Sequence, residues 1–152
     1  GEVVPSLTPR PTATLFPTAT LEPSVISRHL LTLQFNIDDM NQPITGRNNR
    51  LIQFWSDLEL AGQTDACRDG APEDLPLDYT PPPDELAELP IDLQNAIASY
   101  NLAMALTRES WTLFEQACED PEGILQNGKA KAELAKTSFD DAENLLSLLD
   151  ED

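Results

Sequence analysis

Positive charge is scarce in this chain. Nine Lys and Arg stand against 27 Asp and Glu, a formal net charge of -18 over 152 residues. Such a chain repels nucleic acid and anionic membrane surfaces, so nucleic acid is not expected as a partner. No run of residues is long and apolar enough to span a bilayer. Cysteine is limited to Cys67 and Cys118, with no C-x-x-C, which argues against a redox or zinc site. Histidine occurs once, as His29, next to Arg28 and without a Cys or His at ligand spacing. Glu-x-x-His is missing, which removes a di-iron bundle site. Walker and dinucleotide glycine motifs are missing too, and no serine has a nucleophile-elbow context. Aromatics are only 6% of the chain, too few for the sugar platforms of a glycosidase. The expectation is a protein without a cofactor and without a catalytic constellation.

What remains is mostly helical pattern. From Ser24, read as an N-cap after Pro23, an apolar seam runs through Ile26, Leu30, Leu33, Ile37, Met40 and Ile44, then Leu51, Phe54 and Leu58. Its steps alternate four and three, the signature of a helix packed on partner helices. Pro43 and Gly46 interrupt it without changing the phase. This predicts a long helix over about 24–60, kinked or broken at Pro43, with a hairpin at 43–46 as the rival. A second helix is predicted over about 92–118, with seam residues Leu93, Ile97, Tyr100, Met104, Thr107, Trp111, Phe114 and Cys118. Asp120, Pro121 and Glu122 read as a helix restart, giving a third helix over about 121–149 through Leu125, Ala132, Ala135, Phe139, Ala142, Leu146 and Leu149. Lys129 with Glu133 and Lys136 with Asp140 have i,i+4 spacing. Residues 62–90 hold six prolines and many acids, a long connection with one helical turn near 84–88. The fold expected for 24–152 is therefore all-α, a three-helix bundle with a long proline-rich crossover loop.

The cysteines constrain that topology. In an exported protein two such cysteines form one structural disulfide by default. A bridge between Cys67 and Cys118 needs α-carbons within about 7 Å. With a long first helix, the first and second helices must then run parallel. Residues 68–91 cross back over a helix of roughly 40 Å, and the third helix returns antiparallel. The bridge is worth about 4 kcal/mol if it acts by restricting the unfolded chain.

Several residues invite a functional reading and carry a plainer one. His29 lies off the seam and is read as a surface residue. Trp55 lies beside the seam, either covering the crossover or exposed as an anchor, the former being preferred. Acid clusters at 38–39, 84–88, 119–122, 140–143 and 150–152 read as solvated faces. None has the spacing of an EF-hand loop, so weak divalent-cation bridging between copies is their remaining use.

The first 23 residues differ from all of this. Every odd position from Val3 to Pro23 is apolar, including Leu7, Leu15 and Leu21, and the even positions are polar except Val4 and Phe16. In an extended chain that alternation puts the apolar side chains on one side. Residues 11–16 (PTATLF) are followed by 17–22 (PTATLE), and proline recurs every six residues at 5, 11, 17 and 23. Proline at that density excludes an inner strand and leaves an extended arm of up to roughly 70 Å. The arm resembles the Thr/Pro-rich stalks of bacterial surface lipoproteins. That resemblance implies a stalked surface module that binds a partner or ligand. The one-sided apolar pattern implies instead an arm seated on protein through Val3, Leu7, Leu15, Phe16 and Leu21. Its reach exceeds the bundle, so the natural recipient is a neighbouring copy, and head-to-tail contacts of that kind give filaments, tubes or surface layers. The chain begins at Gly1 and is read as a processed product at or outside the cell surface.

Overall fold

A computed structural model describes residues 21–150 of the chain. These form six helices that pack together, with no strand among the described residues: α1 Pro23–Asn41, α2 Arg47–Ala61, α3 Ala66–Asp69, α4 Pro83–Glu88, α5 Ile91–Glu119 and α6 Leu125–Asp150. Proline sets three of the starts. Pro23 and Pro83 occupy the first turns of α1 and α4, and Pro90 directly precedes α5. A proline there gives up an N–H that has no partner in any first turn, and its fixed φ suits the helix. Ser24 is therefore inside α1 and not its cap. The expected start of the last helix moves for a related reason. Residues 121–124 form a turn with Gly123 at φ 80°, and α6 begins only at Leu125.

The interruption after Met40 is a true break. Gln42 is extended (φ -56°, ψ 137°), and the Thr45 N–H donates to Pro43 O at 2.7 Å, closing a three-residue turn around Ile44. Ile44 has φ 70°, an uncommon value for a β-branched residue. Gly46 is required: a Cβ there would lie 2.5 Å from Gln42 N and 2.6 Å from Met40 O. Asn49 Nδ2 donates to the Asn41 and Gln42 carbonyls, satisfying two acceptors that the end of α1 leaves open. The break also removes Ile44 from the seam. Ile44 is 86% exposed, and the buried residues of α2 are Asn48, Leu51, Trp55 and Leu58. The expected place of Ile44 in the seam is thus corrected, because it sits in the turn, whereas Leu51 and Leu58 are buried as expected and Phe54 packs half-buried on the same core.

Partners along the helices give their directions. Leu33, Ile37 and Met40 of α1 share a core with Leu93, Ile97 and Tyr100 of α5 and with Phe139, Ala142 and Leu146 of α6. Leu51, Trp55 and Leu58 of α2 share a second core with Trp111, Phe114 and Ala117 of α5 and with Ala132 of α6. The chain thus advances along α5 through α1 and then α2; a hairpin at the break would have sent α2 back. On α6 the order reverses: Asn41 meets Asp140 and Glu143, Asn48 meets Ala132, and Glu59 meets Lys129. Lys129 therefore bridges α6 to α2 (3.1 Å to Glu59) and not to Glu133, whereas Lys136 does reach Asp140 at 3.4 Å. Residues 70–82 return along α5. The Ala71 N–H donates to Glu115, Asp78 pairs with Arg108, and Tyr79 meets Asn101.

A buried polar layer lies between the two cores. Asn48 Nδ2 donates to Ala132 O at 2.9 Å, and Thr107 Oγ1 donates to Asn48 Oδ1 at 3.1 Å. Trp55 Nε1 donates to Ser110 Oγ, which in turn donates to Gly128 O, both at 2.8 Å. Buried polar groups are costly unless paired, so these bonds fix the register of α2, α5 and α6. Trp55 is fully buried here, which corrects the reading of it as an exposed anchor.

Candidate functional site

Two concave regions flank the cores. The first is a groove of about 480 Å³. One wall comes from Tyr79, Pro81, Pro83 and Leu86, and the floor from Gln94, Ile97, Ala98 and Asn101 of α5. Spacings of three and four put those α5 residues on one helix face. The wall owes its position to Tyr79. Asn101 holds the Tyr79 backbone from both sides: its Oδ1 accepts from the Tyr79 N–H at 2.8 Å, and its Nδ2 donates to Tyr79 O at 3.0 Å.

The Tyr79 hydroxyl is held by His29. His29 Nδ1 lies 2.5 Å from Tyr79 Oη, and Nε2 contacts Glu85 Oε1 on α4. A carboxylate only accepts, so Nε2 carries a proton, and in the neutral ring Nδ1 accepts from the tyrosine O–H. Arg28 approaches the same carboxylate at 3.7 Å. His29 is 6% exposed, which corrects its reading as a surface residue. The signal missed in the sequence is its place three residues after Ile26 and four before Leu33, which puts it on the buried side of α1. Glu85, His29 and Tyr79 stand in the order acid, imidazole, hydroxyl. Burial raises the Tyr79 phenol above its ordinary value; Arg28 and a hydrogen bond with Thr32 oppose that rise, and Glu85 adds to it. The trio ties α1 to α4 and to the returning segment.

The second region is a cleft of about 460 Å³ between α2, α5 and residues 66–74. Arg47 lines it, held by Asp39 at 3.1 Å and Asp74 at 2.6 Å, and the hydrogen bond it donates to Asp74 raises its already high pKa. Arg50 lies over the Phe54 ring at 5.9 Å, and that ring packs against Trp111 at 6.0 Å. Trp111 Nε1 is buried without a hydrogen-bond partner. Next to Ala66, which lines the cleft, Cys67 is stapled to Cys118: their Sγ atoms lie 2.05 Å apart, disulfide distance, with α-carbons 5.7 Å apart.

The arm residues Val3, Leu7, Leu15 and Phe16 lie outside the described residues. Leu21 lies inside, and it packs against the core shared by α1, α5 and α6. Among the described residues, no three His, Cys, Asp or Glu side chains converge to hold a metal ion, and no helix is long and apolar enough to cross a membrane. The acidic pair Asp140 and Glu143 is used internally, both accepting from Asn41 Nδ2 at 2.8 and 2.6 Å.

No protein family, curated protein or solved structure matches the chain.

Proposed function

We propose that the protein is a non-catalytic, extracellular structural subunit that assembles by laying its N-terminal arm on a neighbouring copy. In this reading the body is a three-helix bundle. α1 and α2 form one broken helix beside α5 and α6, and residues 70–82 are its proline-rich crossover. The observation that carries the proposal is Leu21. It is the last odd-numbered leucine of the arm, and it packs on the core where the arm enters the described structure. The apolar side of the arm is a protein-contacting side at that point, and the residues upstream share its alternation. The cysteine pair supports an oxidising compartment, the cell surface or beyond. Weak divalent-cation bridging between acidic faces is a subordinate part of the proposal, and no cofactor is needed.

The test compares the full chain with one lacking residues 1–20, by sedimentation velocity over a concentration series and by electron microscopy. Concentration-dependent assembly should vanish with the arm while the helical circular-dichroism signal stays. A full chain that is monomeric throughout, or assembly indifferent to the truncation, would overturn the proposal.

A second reading, a stalked surface module that binds a ligand, is favoured by the stapled cleft with Arg50, Phe54 and Trp111. It predicts that the truncation leaves the oligomeric state unchanged.

A further inference from the structure

Among the described residues, every Lys and Arg lies within salt-bridge distance of an Asp or Glu, except Arg50. Acids outnumber bases 27 to 9, so a guanidinium without a carboxylate is not a matter of supply. Arg50 instead covers the Phe54 ring, Phe54 packs on Trp111, and all three line the cleft of about 460 Å³. They run from solvent inward: Arg50 is exposed, Phe54 half-buried and Trp111 only 4% exposed. At the inner end the Trp111 Nε1–H has no acceptor, and a buried donor left unpaired costs free energy. Two donors of one cleft thus stand unmet.

The other charges of the cleft fall into two groups. Arg47 is taken up by Asp39 and Asp74. Asp69 is left over, exposed and without a hydrogen-bond or ion-pair partner among the described residues. Arg50 and Asp69 line the same space but do not pair with each other. Ala66, Pro72 and the two aromatic rings add apolar surface, and the volume suits a small ligand. A pure anion is a poor match, because three Asp against two Arg leave the lining negative within a body of net charge -18. A pure cation finds acids over much of the surface and leaves both donors unmet. A molecule that carries both charges meets Arg50 and Asp69 together.

We infer that this cleft binds a small zwitterion with an apolar body, of the class of the α-amino acids. Its carboxylate pairs with Arg50, its ammonium with Asp69, and its side chain lies against the aromatic rings and Pro72. The unmet Trp111 N–H puts the carboxylate toward the inner end, and half-buried Phe54 turns to admit it. The inference rests on the ligand-binding reading of the cleft and is independent of the arm's assembly role. The chain's own undescribed residues match this site poorly. Residues 3–20 contain Arg10 and no acid. Residues 151–152 follow the far end of α6: Ala132 shares the core of Trp111, and Asp150 lies about 27 Å further along the helix. Glu2 alone could bring a carboxylate from the arm, and a variant tests it.

The experiment follows the two indole N–H signals of the isotopically labelled full chain by NMR. The probes are L-phenylalanine, L-phenylalaninamide and N-acetyl-L-phenylalanine, which are zwitterion, cation and anion around one ring. Trp55 Nε1, bonded to Ser110 in the closed core, is the internal control. L-Phenylalanine should move the Trp111 signal saturably, bind about tenfold or more tighter than either analogue, and leave the Trp55 signal in place. Arg50→Gln and Asp69→Asn, both at exposed positions, should each weaken that binding about tenfold with an unchanged helical spectrum. Equal binding of the three probes, or indifference to both substitutions, would overturn the zwitterion and leave ligand binding at the cleft standing. Tighter binding in Glu2→Gln would make the arm's own acid the resident of the cleft and overturn the free amino acid. A Trp111 signal that no probe moves, up to the solubility limit, would overturn the inference and the ligand-binding reading beneath it.

Discussion

A Cβ atom added at Gly128 would lie 2.2 Å from Trp55 Cζ2, so the Trp55 indole rests directly on the bare backbone of α6. The same indole reaches Ser110, and Ser110 reaches the Gly128 carbonyl. Residues from three helices thus close one small circuit. At an ordinary exposed helix position, glycine to alanine gains about 1 kcal/mol. Here overpacking reverses the sign: Gly128→Ala should lower stability by about 1–3 kcal/mol in urea unfolding. The loss should shrink in a Trp55→Phe background, where the clashing ring atoms are gone. Additivity of the two substitutions would contradict the contact.

Tyr100 couples stability to alkaline pH. Burial first, then the charges of Asp78 and Asp39, push its phenol up to about 12. The folded chain holds this proton more tightly than the unfolded chain, whose tyrosine titrates near 10. The contribution is complete below pH 10 and is lost as pH rises through 12. Its size is roughly 2–3 kcal/mol. Tyr100→Phe should cost about 1 kcal/mol at pH 8, through the lost bond to Leu77 O, and its stability should fall less between pH 10 and 12. Parallel alkaline profiles for the two proteins would exclude Tyr100 as the source.

The bridge between Cys67 and Cys118 closes a separation of 51 residues. Replacing both cysteines by serine should lower unfolding stability by about 4 kcal/mol on the chain-entropy account. The break should also loosen the cleft floor, since Ala71 and Glu115 pair next to the bridge. Faster amide exchange at 66–71 in the variant is the expected signature.

His29 distinguishes a latch from a surface residue. His29→Phe keeps an aromatic ring and removes both hydrogen bonds. Glu85 and Tyr79 are only half-buried and regain water, so the expected cost is about 1–2 kcal/mol. Limited proteolysis should then cut the 70–89 segment sooner. An unchanged unfolding midpoint and cleavage rate would return His29 to the surface role that its sequence neighbourhood suggested.

How much of this was legible in the sequence follows from the range of each interaction. Helix class, the seams of α5 and α6, and the break near Pro43 rest on local periodicity and on proline and glycine, and a linear string displays these. Ile44 was misplaced, and the burial of Trp55 was missed, because a turn of unknown geometry separates them from the phase established by Leu33 and Ile37. His29 was misread because its partners, Tyr79 and Glu85, are some fifty residues away. Nothing local in the sequence marks Ser110 as the acceptor for Trp55.

By itself the sequence determined that the body is helical and acidic, that two cysteines were available for one bridge, and that apolar and polar residues alternate along the leading segment. Composition and short-range spacing suffice for those. Only the tertiary structure decided that His29 latches α4 to α1, that Trp55 needs Gly128, and that Tyr79 walls a groove on α5. Each of these depends on which distant backbones approach within a few ångströms, and that is set by the packing of whole helices, not by any neighbouring residue.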